Sequence, residues 1–186
     1  MKRHAQFQPL LASFSKGEVA ASGLPLEDEE FWLWLFAQAA HPGRFNRSSQ
    51  AAAAAERLLH RPLDAGAARA RHSAAIGSLA TSDRDTRRHA IRFLHEAAPN
   101  TQTLDAAARA VHDSDTEVGV EAVRLLTKHT TPQTLPALLD VLATAFDLRE
   151  TLAAEALVEL DGAAIPGLTT LLEHDDPASV GAQRAA

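Results

Sequence analysis

A pair of apolar helices that recurs every 30 to 34 residues is the feature of this sequence that most constrains its fold. The second helices of the pairs align at offsets of 32 and 34 residues, at residues 90–94, 122–126 and 156–160. The first helices align at offsets of 31 and 30 residues, at residues 104–111, 135–142 and 165–172. Because one helix pair cannot bury its apolar face alone, this pattern predicts an α-α superhelix of stacked antiparallel pairs.

The amino-acid composition favours an all-α fold over a sheet. Aromatic residues make up only 5% of the chain, and Tyr is absent, whereas strands favour aromatic and β-branched residues. The lack of Cys excludes disulfides and thiol nucleophiles, and it fits a reducing cytoplasm. The longest apolar run, residues 31–37, is far shorter than the roughly 20 residues that cross a bilayer. We therefore expect a cytoplasmic protein without a membrane segment.

Acidic and polar turns separate the two helices of each pair. These turns lie at residues 82–85, 113–115 and 175–177. Asp and Ser oxygens accept hydrogen bonds from the free amides at a helix start, so we interpret the turns as helix caps. Asp64 is predicted to cap a further helix that runs to about Ala80, with an inner face of Ala68, His72, Ala75, Ile76 and Leu79.

Residues 1–62 are predicted to form an irregular N-terminal helical cap within a single helical domain, 1–186. The spacing of Phe7, Leu10, Leu11 and Phe14 indicates a short helix after Pro9. A helix over residues 31–37 is apolar on every face, so we expect it to be buried. A third helix is predicted from Ser48 or Ser49 to Leu59, as part of a degenerate repeat. Residues 63–186 then hold about three and a half regular pairs.

Two patterns in the regular pairs resemble a known family. One is Pro-x-x-Leu-Pro-x-Leu-Leu-x-x-Leu at residues 132–142, and the other is Val-x-x-x-Ala at residues 118–122. They resemble HEAT-like repeats of the short bacterial type, over roughly residues 72–186. Such repeats often carry Arg after the Val that opens the second helix, and the matching residues here are Arg87, Gly119 and Ala153. The resemblance implies a solenoid whose second helices form the concave face.

The charge of the chain is distributed unevenly. Residues 57–95 carry eight Arg and three Asp, whereas residues 96–186 carry five basic and fifteen acidic residues. In the basic part, Arg84, Arg88 and Arg92 recur every four residues and are predicted to form a stripe along one second helix. The candidate partner-binding residues of the concave face are Arg84, Arg87, Arg88, Arg92, His95, Glu121 and Arg124.

Three functions are compatible with these observations. The leading hypothesis is a non-enzymatic scaffold that binds a protein partner, of unknown identity, on the concave face. The alternative is a nucleic-acid-binding module in which Arg84, Arg87, Arg88 and Arg92 contact phosphates. The third, implied by the resemblance to bacterial HEAT-like lyase subunits, is an accessory subunit of an enzyme complex.

The sequence predicts no catalytic, cofactor-binding or metal-binding residues. The chain contains no Gly-rich phosphate loop, no nucleophile elbow and no metal-ligand spacing among its nine His. His112 and His174 precede Asp at equivalent turns two repeats apart. Side chains two repeats apart cannot share one ion, so we interpret both turns as caps.

The last helix pair has no visible polar cap, because the sequence ends soon after the turn at residues 175–177. Solenoids generally need a polar end repeat. We therefore expect a partly exposed apolar face that pairs with a second copy of the chain, or that continues in a longer array. The residues of this face are Leu168, Leu171, Leu172 and Val180.

Overall fold

The computed structural model describes residues 4–41, 49–145, 147–159, 162 and 164–174. These residues form helices and turns and contain no strand, which confirms the all-α prediction. The helices are α1 (Phe7–Ser15), α2 (Glu29–Ala40), α3 (Ser49–Leu59), α4 (Ala65–Ser78), α5 (Arg84–Glu96), α6 (Thr101–Ala110), α7 (Thr116–Lys128), α8 (Leu135–Thr144), α9 (Leu148–Glu159) and α10 (Ile165–His174). Short 3₁₀ helices lie at His4–Gln6 and Ala21–Gly23. No helix among the described residues combines the length and apolar content needed to cross a membrane.

The chain divides into two compact units, Met1–Ala98 and Pro99–Ala186. We call them unit 1 and unit 2. Unit 1 holds α1 to α5 and unit 2 holds α6 to α10. The division into a cap at residues 1–62 and repeats at 63–186 stays a prediction.

The core of unit 1 is built around α2. This helix packs against α3, α4 and α5, and its side chains Phe31, Trp32, Leu35 and Phe36 are fully buried. Asp28 caps the helix by accepting a hydrogen bond from the amide of Glu30. Burial of the all-apolar helix, predicted from residues 31–37, is therefore confirmed.

Two other helices of unit 1, α1 and α4, differ in detail from the prediction. Helix α1 begins at Phe7, before Pro9, because a Pro in the first helical turn removes only an amide that has no partner there. In α4, Ala67, Ala74, Ala75 and Ser78 are the buried residues. Of the predicted inner face only Ala75 is among them, because the side of α4 that packs against α2 and α5 is rotated by roughly 100° around the helix axis from the predicted side.

Unit 2 contains the regular helix pairs. Helix α6 packs against α7, and α8 packs against α9. Neighbouring pairs are joined by contacts between α7 and α9 and between α8 and α10, which is the stacking that the repeat predicted. Of the apolar face predicted at the C-terminus, Leu168 is half-buried. Val180, the turn at 175–177 and the side chains of Leu171 and Leu172 lie outside the described residues.

Acidic residues cap the helices as the turn pattern predicted. Asp64 accepts hydrogen bonds from the amides of Gly66 and Ala67 at the start of α4. Asp83 accepts one from the amide of Thr86 in α5, and Asp115 accepts one from Val118 in α7. These bonds satisfy amides that the helices themselves leave without partners.

Candidate interaction surface on α5

Three arginines lie along one side of α5 in unit 1. The opposite side of the helix is fixed in the core by Thr86, Ala90 and Phe93, all buried. Arg84 and Arg92 are exposed and Arg88 is half-buried; the Arg84 side chain retains 68% of its accessible surface. Residues four apart on a helix are neighbours on its surface. We call Arg84, Arg88, Arg92 and the half-buried His95 the α5 surface.

Arg87 lies apart from this surface, although the sequence grouped it with the stripe. It is only 8% exposed, and its Nη1 donates a hydrogen bond of 3.0 Å to the carbonyl of Thr81. This bond ties the first turn of α5 to the chain that follows α4. Its position one residue before Arg88 places it on the side of α5 that packs into unit 1.

Glu121 and Arg124, the candidate residues of α7, form an ion pair with each other. Arg124 Nη1 lies 2.7 Å from Glu121 Oε1, and the two residues are three apart on the helix. The pair belongs to unit 2. Its charges cancel locally, so this part of the predicted site offers an ion pair rather than a net charge.

Acidic and imidazole side chains lie beside the arginines of α5. Each oxygen of the Glu56 carboxylate lies 3.4 Å from a different imidazole, that of His60 or that of His89. The other ring nitrogen of His60 lies 3.5 Å from Glu96. Burial lowers the pKa of His89, and the nearby Glu56 carboxylate opposes that shift. The arginines of the α5 surface are therefore bordered on one side by carboxylates and imidazoles.

A second cluster, which the sequence did not predict, joins the end of α2 to the start of α5. His41 Nε2 lies 2.6 Å from Asp83 Oδ2, and His41 Nδ1 lies 3.7 Å from Asp85 Oδ2. Burial alone would raise the pKa of Asp83, but hydrogen bonds from Thr86 and His41 lower it to about 2. The acidic cap at Asp83 was visible in the sequence. Its contact with a residue 42 positions earlier was not.

The family pattern often has Arg just after the Val that opens the second helix of a pair, and the two units differ at this position. In unit 1 it is Arg87, as described above. In unit 2 the equivalent residues are Gly119 and Ala153, and the guanidinium of Arg149 occupies the space beside Gly119. Arg149 donates a 2.8 Å hydrogen bond to the carbonyl of Val111, at the end of α6. The pKa of Arg149 is raised by its hydrogen bonds to Asp147. In unit 2, an arginine of the following helix pair thus donates a hydrogen bond to a carbonyl just after the first helix of the pair, as Arg87 does in unit 1.

The turn that contains His112 is a cap with an additional side-chain contact. Asp113 accepts a hydrogen bond from the amide of Asp115, and His112 Nε2 bonds to a carboxylate oxygen of Asp140 on α8. The side chain of His174, the equivalent residue two repeats later, lies outside the described residues.

Comparison with known proteins identifies the repeats. Residues 73–158 match the family model for HEAT repeats, and this range contains the greater part of the helices from α4 to α9. Searches among curated proteins and among solved structures give no match. The helix pairs, their acidic caps and the match agree with the resemblance seen in the sequence. Over residues 73–158 this chain is therefore similar to the HEAT-like helical repeat family.

Proposed function

We propose that this protein is a non-enzymatic, cytoplasmic scaffold that binds an acidic segment of a partner protein on the α5 surface. HEAT repeats generally mediate protein–protein interaction. The observation that carries the proposal is the row of Arg84, Arg88 and Arg92 on α5, a helix of the matched region whose opposite side is buried. Exposed guanidinium groups bind carboxylates with two parallel hydrogen bonds.

The flank of the α5 surface favours a protein partner over nucleic acid. Asp85, Glu56 and Glu96 lie on or beside α5 and would repel a continuous row of phosphates. The aromatic residue of α5, Phe93, is only 8% exposed, so it offers no open face on which bases could stack. A peptide with spaced carboxylates can approach the arginines and avoid these acids.

A direct test uses a fluorescent peptide with four Glu residues, each separated from the next by two Ser residues, at low salt. We expect the protein to bind the peptide, and we expect the Arg88→Glu plus Arg92→Glu variant to bind about tenfold more weakly, because exposed ion pairs contribute about 0.2–1 kcal/mol each. The matched control is Arg57→Glu plus Arg69→Glu, which makes the same charge change at exposed positions on α3 and α4. The control should retain most of the affinity.

The same assay with a 20-base-pair duplex and a 20-nucleotide single strand tests the nucleic-acid alternative. That function would require DNA to bind more tightly than the peptide, with a steep salt dependence that the double charge reversal abolishes. Failure of the wild-type protein to bind the Glu peptide at low salt would reject the scaffold proposal as formulated.

Glu121 and Arg124 on α7 of unit 2 are the remaining candidate partner-binding residues. Because they neutralise each other, we expect Arg124→Ala to change peptide affinity less than twofold. A loss as large as that of the α5 double variant would show that the partner contacts α7 directly.

A second copy of the chain is also a proposed partner, through the C-terminal helix pair. Sedimentation velocity over a hundredfold range of concentration distinguishes this case. A constant sedimentation coefficient would exclude it and leave the acidic partner as the only proposal.

A further inference from the structure

We propose that His41 and Asp85 of unit 1 bind a zinc ion, and that Asp83 holds the imidazole of His41 in the orientation this requires. The site would lie where the chain leaves α2 and where α5 begins. Its ligands are not residues of the α5 surface. The two ring nitrogens of His41 each lie near a different carboxylate.

The Nε2 side of the ring is fixed by Asp83. Oδ2 of Asp83 accepts hydrogen bonds from the amide and the hydroxyl of Thr86, at 2.9 and 2.5 Å, and lies 2.6 Å from His41 Nε2. A carboxylate oxygen that already accepts two hydrogen bonds from Thr86 acts as the acceptor toward the ring as well, which places the ring proton on Nε2. A histidine that binds a metal usually donates its other ring N–H to a carboxylate in this way.

The Nδ1 side of the ring faces a second carboxylate. In the tautomer that carries its proton on Nε2, Nδ1 has a lone pair, and Asp85 Oδ2 lies 3.7 Å from Nδ1. Two acceptors at this distance form no hydrogen bond, but each can bind the same cation. A zinc ion at about 2.1 Å from both atoms would make an angle of roughly 125°, within the range of distorted tetrahedral sites. Imidazole and carboxylate are suitable ligands for zinc.

This cluster differs from the other His–acid contacts of the described residues. One ligand atom from each of His41, Asp83 and Asp85 lies within 4.8 Å of the other two. His112 has a single carboxylate partner, Asp140. The side chain of His41 is also the most buried of these imidazoles, at 13% of its accessible surface, so it needs little further ordering to bind an ion.

Two positive groups compete with a bound ion. Arg84 Nε lies 3.7 Å from Asp85 Oδ1, and the N-terminus of α5 carries partial positive charge. The exposed side chain of Arg84 can rotate into solvent. Water would complete the coordination, because the site contributes two ligand residues. We therefore expect a zinc affinity below that of closed structural sites with four protein ligands.

The test is calorimetric titration of the full chain with zinc chloride at pH 7.5. The wild-type protein should bind zinc at this site, and His41→Gln and Asp85→Asn should each weaken that binding at least tenfold. Asp83→Asn should weaken it by about 10- to 100-fold through loss of the orienting carboxylate. Arg84→Ala should strengthen it severalfold. His112→Gln is the matched control, since it breaks a His–Asp contact of similar length and should leave the titration unchanged.

A second measurement separates metal binding from a purely structural role. In ¹⁵N spectra of the imidazoles, zinc should shift Nδ1 of His41 while Nε2 keeps its proton. Zinc should also raise the Tm of the wild-type protein, and of His112→Gln, but not of a folded His41→Gln variant. The proposal is overturned if 1 mM zinc leaves the His41 signals unchanged, or if His41→Gln binds zinc with wild-type stoichiometry and Kd.

Discussion

The guanidinium group of Arg71 joins three segments of unit 1. Its Nη1 donates hydrogen bonds of 2.6 and 2.8 Å to the carbonyls of Leu59 and Arg61, at the end of α3. The same group lies over the rings of Trp32 and Phe93, at 5.9 and 5.2 Å from their centroids. Burial lowers the pKa of Arg71. The planar cation thus satisfies carbonyls at a helix end and packs against two aromatic side chains.

We predict that Arg71→Lys lowers the free energy of unfolding by about 1–3 kcal/mol, because a single ammonium cannot keep both carbonyl bonds and the ring contacts. Urea denaturation followed by circular dichroism measures the change. Arg69→Lys, an exposed arginine on the same helix, is the control and should be neutral within about 0.5 kcal/mol. Equal effects of the two substitutions would contradict the role given to Arg71.

Two helical glycines should respond to Ala with opposite signs. At Gly119 a Cβ would lie 3.0 Å from both Arg149 Nη1 and the backbone oxygen of Val111, which cannot rotate away. We expect Gly119→Ala to destabilise the protein by about 1–2 kcal/mol, despite the better helix propensity of Ala. At Gly77 the nearest atom is Leu33 Cδ2 at 3.4 Å, an ordinary contact. Gly77→Ala should therefore stabilise by up to about 1 kcal/mol. Thermal denaturation of both variants tests the pair.

Asp83 should make stability depend on pH in the acid range. Its pKa in the folded protein is about 2, below the value of 3.8 expected in the unfolded chain. The unfolded state therefore binds the proton first, and the stabilisation is complete above about pH 4 and is lost as the pH falls toward 2. After allowance for solvent screening we expect a contribution of about 1 kcal/mol. Urea midpoints between pH 2 and 5 should show a shallower slope for Asp83→Asn than for the wild-type protein.

At the scale of the element, α2 decides the packing of unit 1. The other four α-helices of this unit contact it, α1 through the ring of Phe7. The ring centroid of Phe36 on α2 lies 5.3 Å from that of Phe93 and 6.0 Å from that of His89, both on α5, in edge-to-face arrangements. The apolar surface of α2 could be predicted from the sequence. The identity of its neighbours was not, because a helix that is apolar on every side indicates burial without indicating direction.

We predict that Phe36→Ala destabilises the protein by about 3–5 kcal/mol, since it leaves a cavity between α2 and α5. Leu33→Ala is the matched control on the same helix; Leu33 is half-buried, so its loss should cost clearly less. Chemical denaturation of both variants gives the comparison. A larger effect at Leu33 would place the main contact of α2 on another of its sides.

At the scale of the whole molecule, the two units differ in net charge. Residues 1–98 carry thirteen basic and ten acidic residues, whereas residues 99–186 carry five basic and fourteen acidic residues. The net charges are thus +3 and −9, and an acidic ligand is attracted to unit 1 and repelled by unit 2.

We therefore predict that an acidic peptide added to ¹⁵N-labelled protein shifts the amide signals of α5 and leaves those of α7 and α9 nearly unchanged. The shifts should shrink as salt is raised from 20 to about 200 mM, because screening weakens contacts between exposed charges. Shifts spread evenly over both units would indicate non-specific association. The Arg88→Glu plus Arg92→Glu variant provides the control spectrum.

The sequence by itself determined the helices, their pairing and their acidic caps. These features depend on apolar periodicity and on hydrogen bonds between residues at most three apart, such as Asp83 to Thr86 and Asp115 to Val118. Periodicity likewise identified the repeat and the arginine row of α5. Such short-range interactions depend on residues that are close together in the sequence, so they can be predicted from it.

Only the tertiary structure decided which of these side chains are buried and which meet residues far along the chain. It buried Arg87 against Thr81, brought Arg149 into the space beside Gly119, and joined His41 to Asp83. Each contact depends on how helices pack, which a single sequence leaves open because many packings satisfy the same apolar pattern. The proposed zinc site at His41 and Asp85 could not be predicted from the sequence, because its residues come together only when the helices pack.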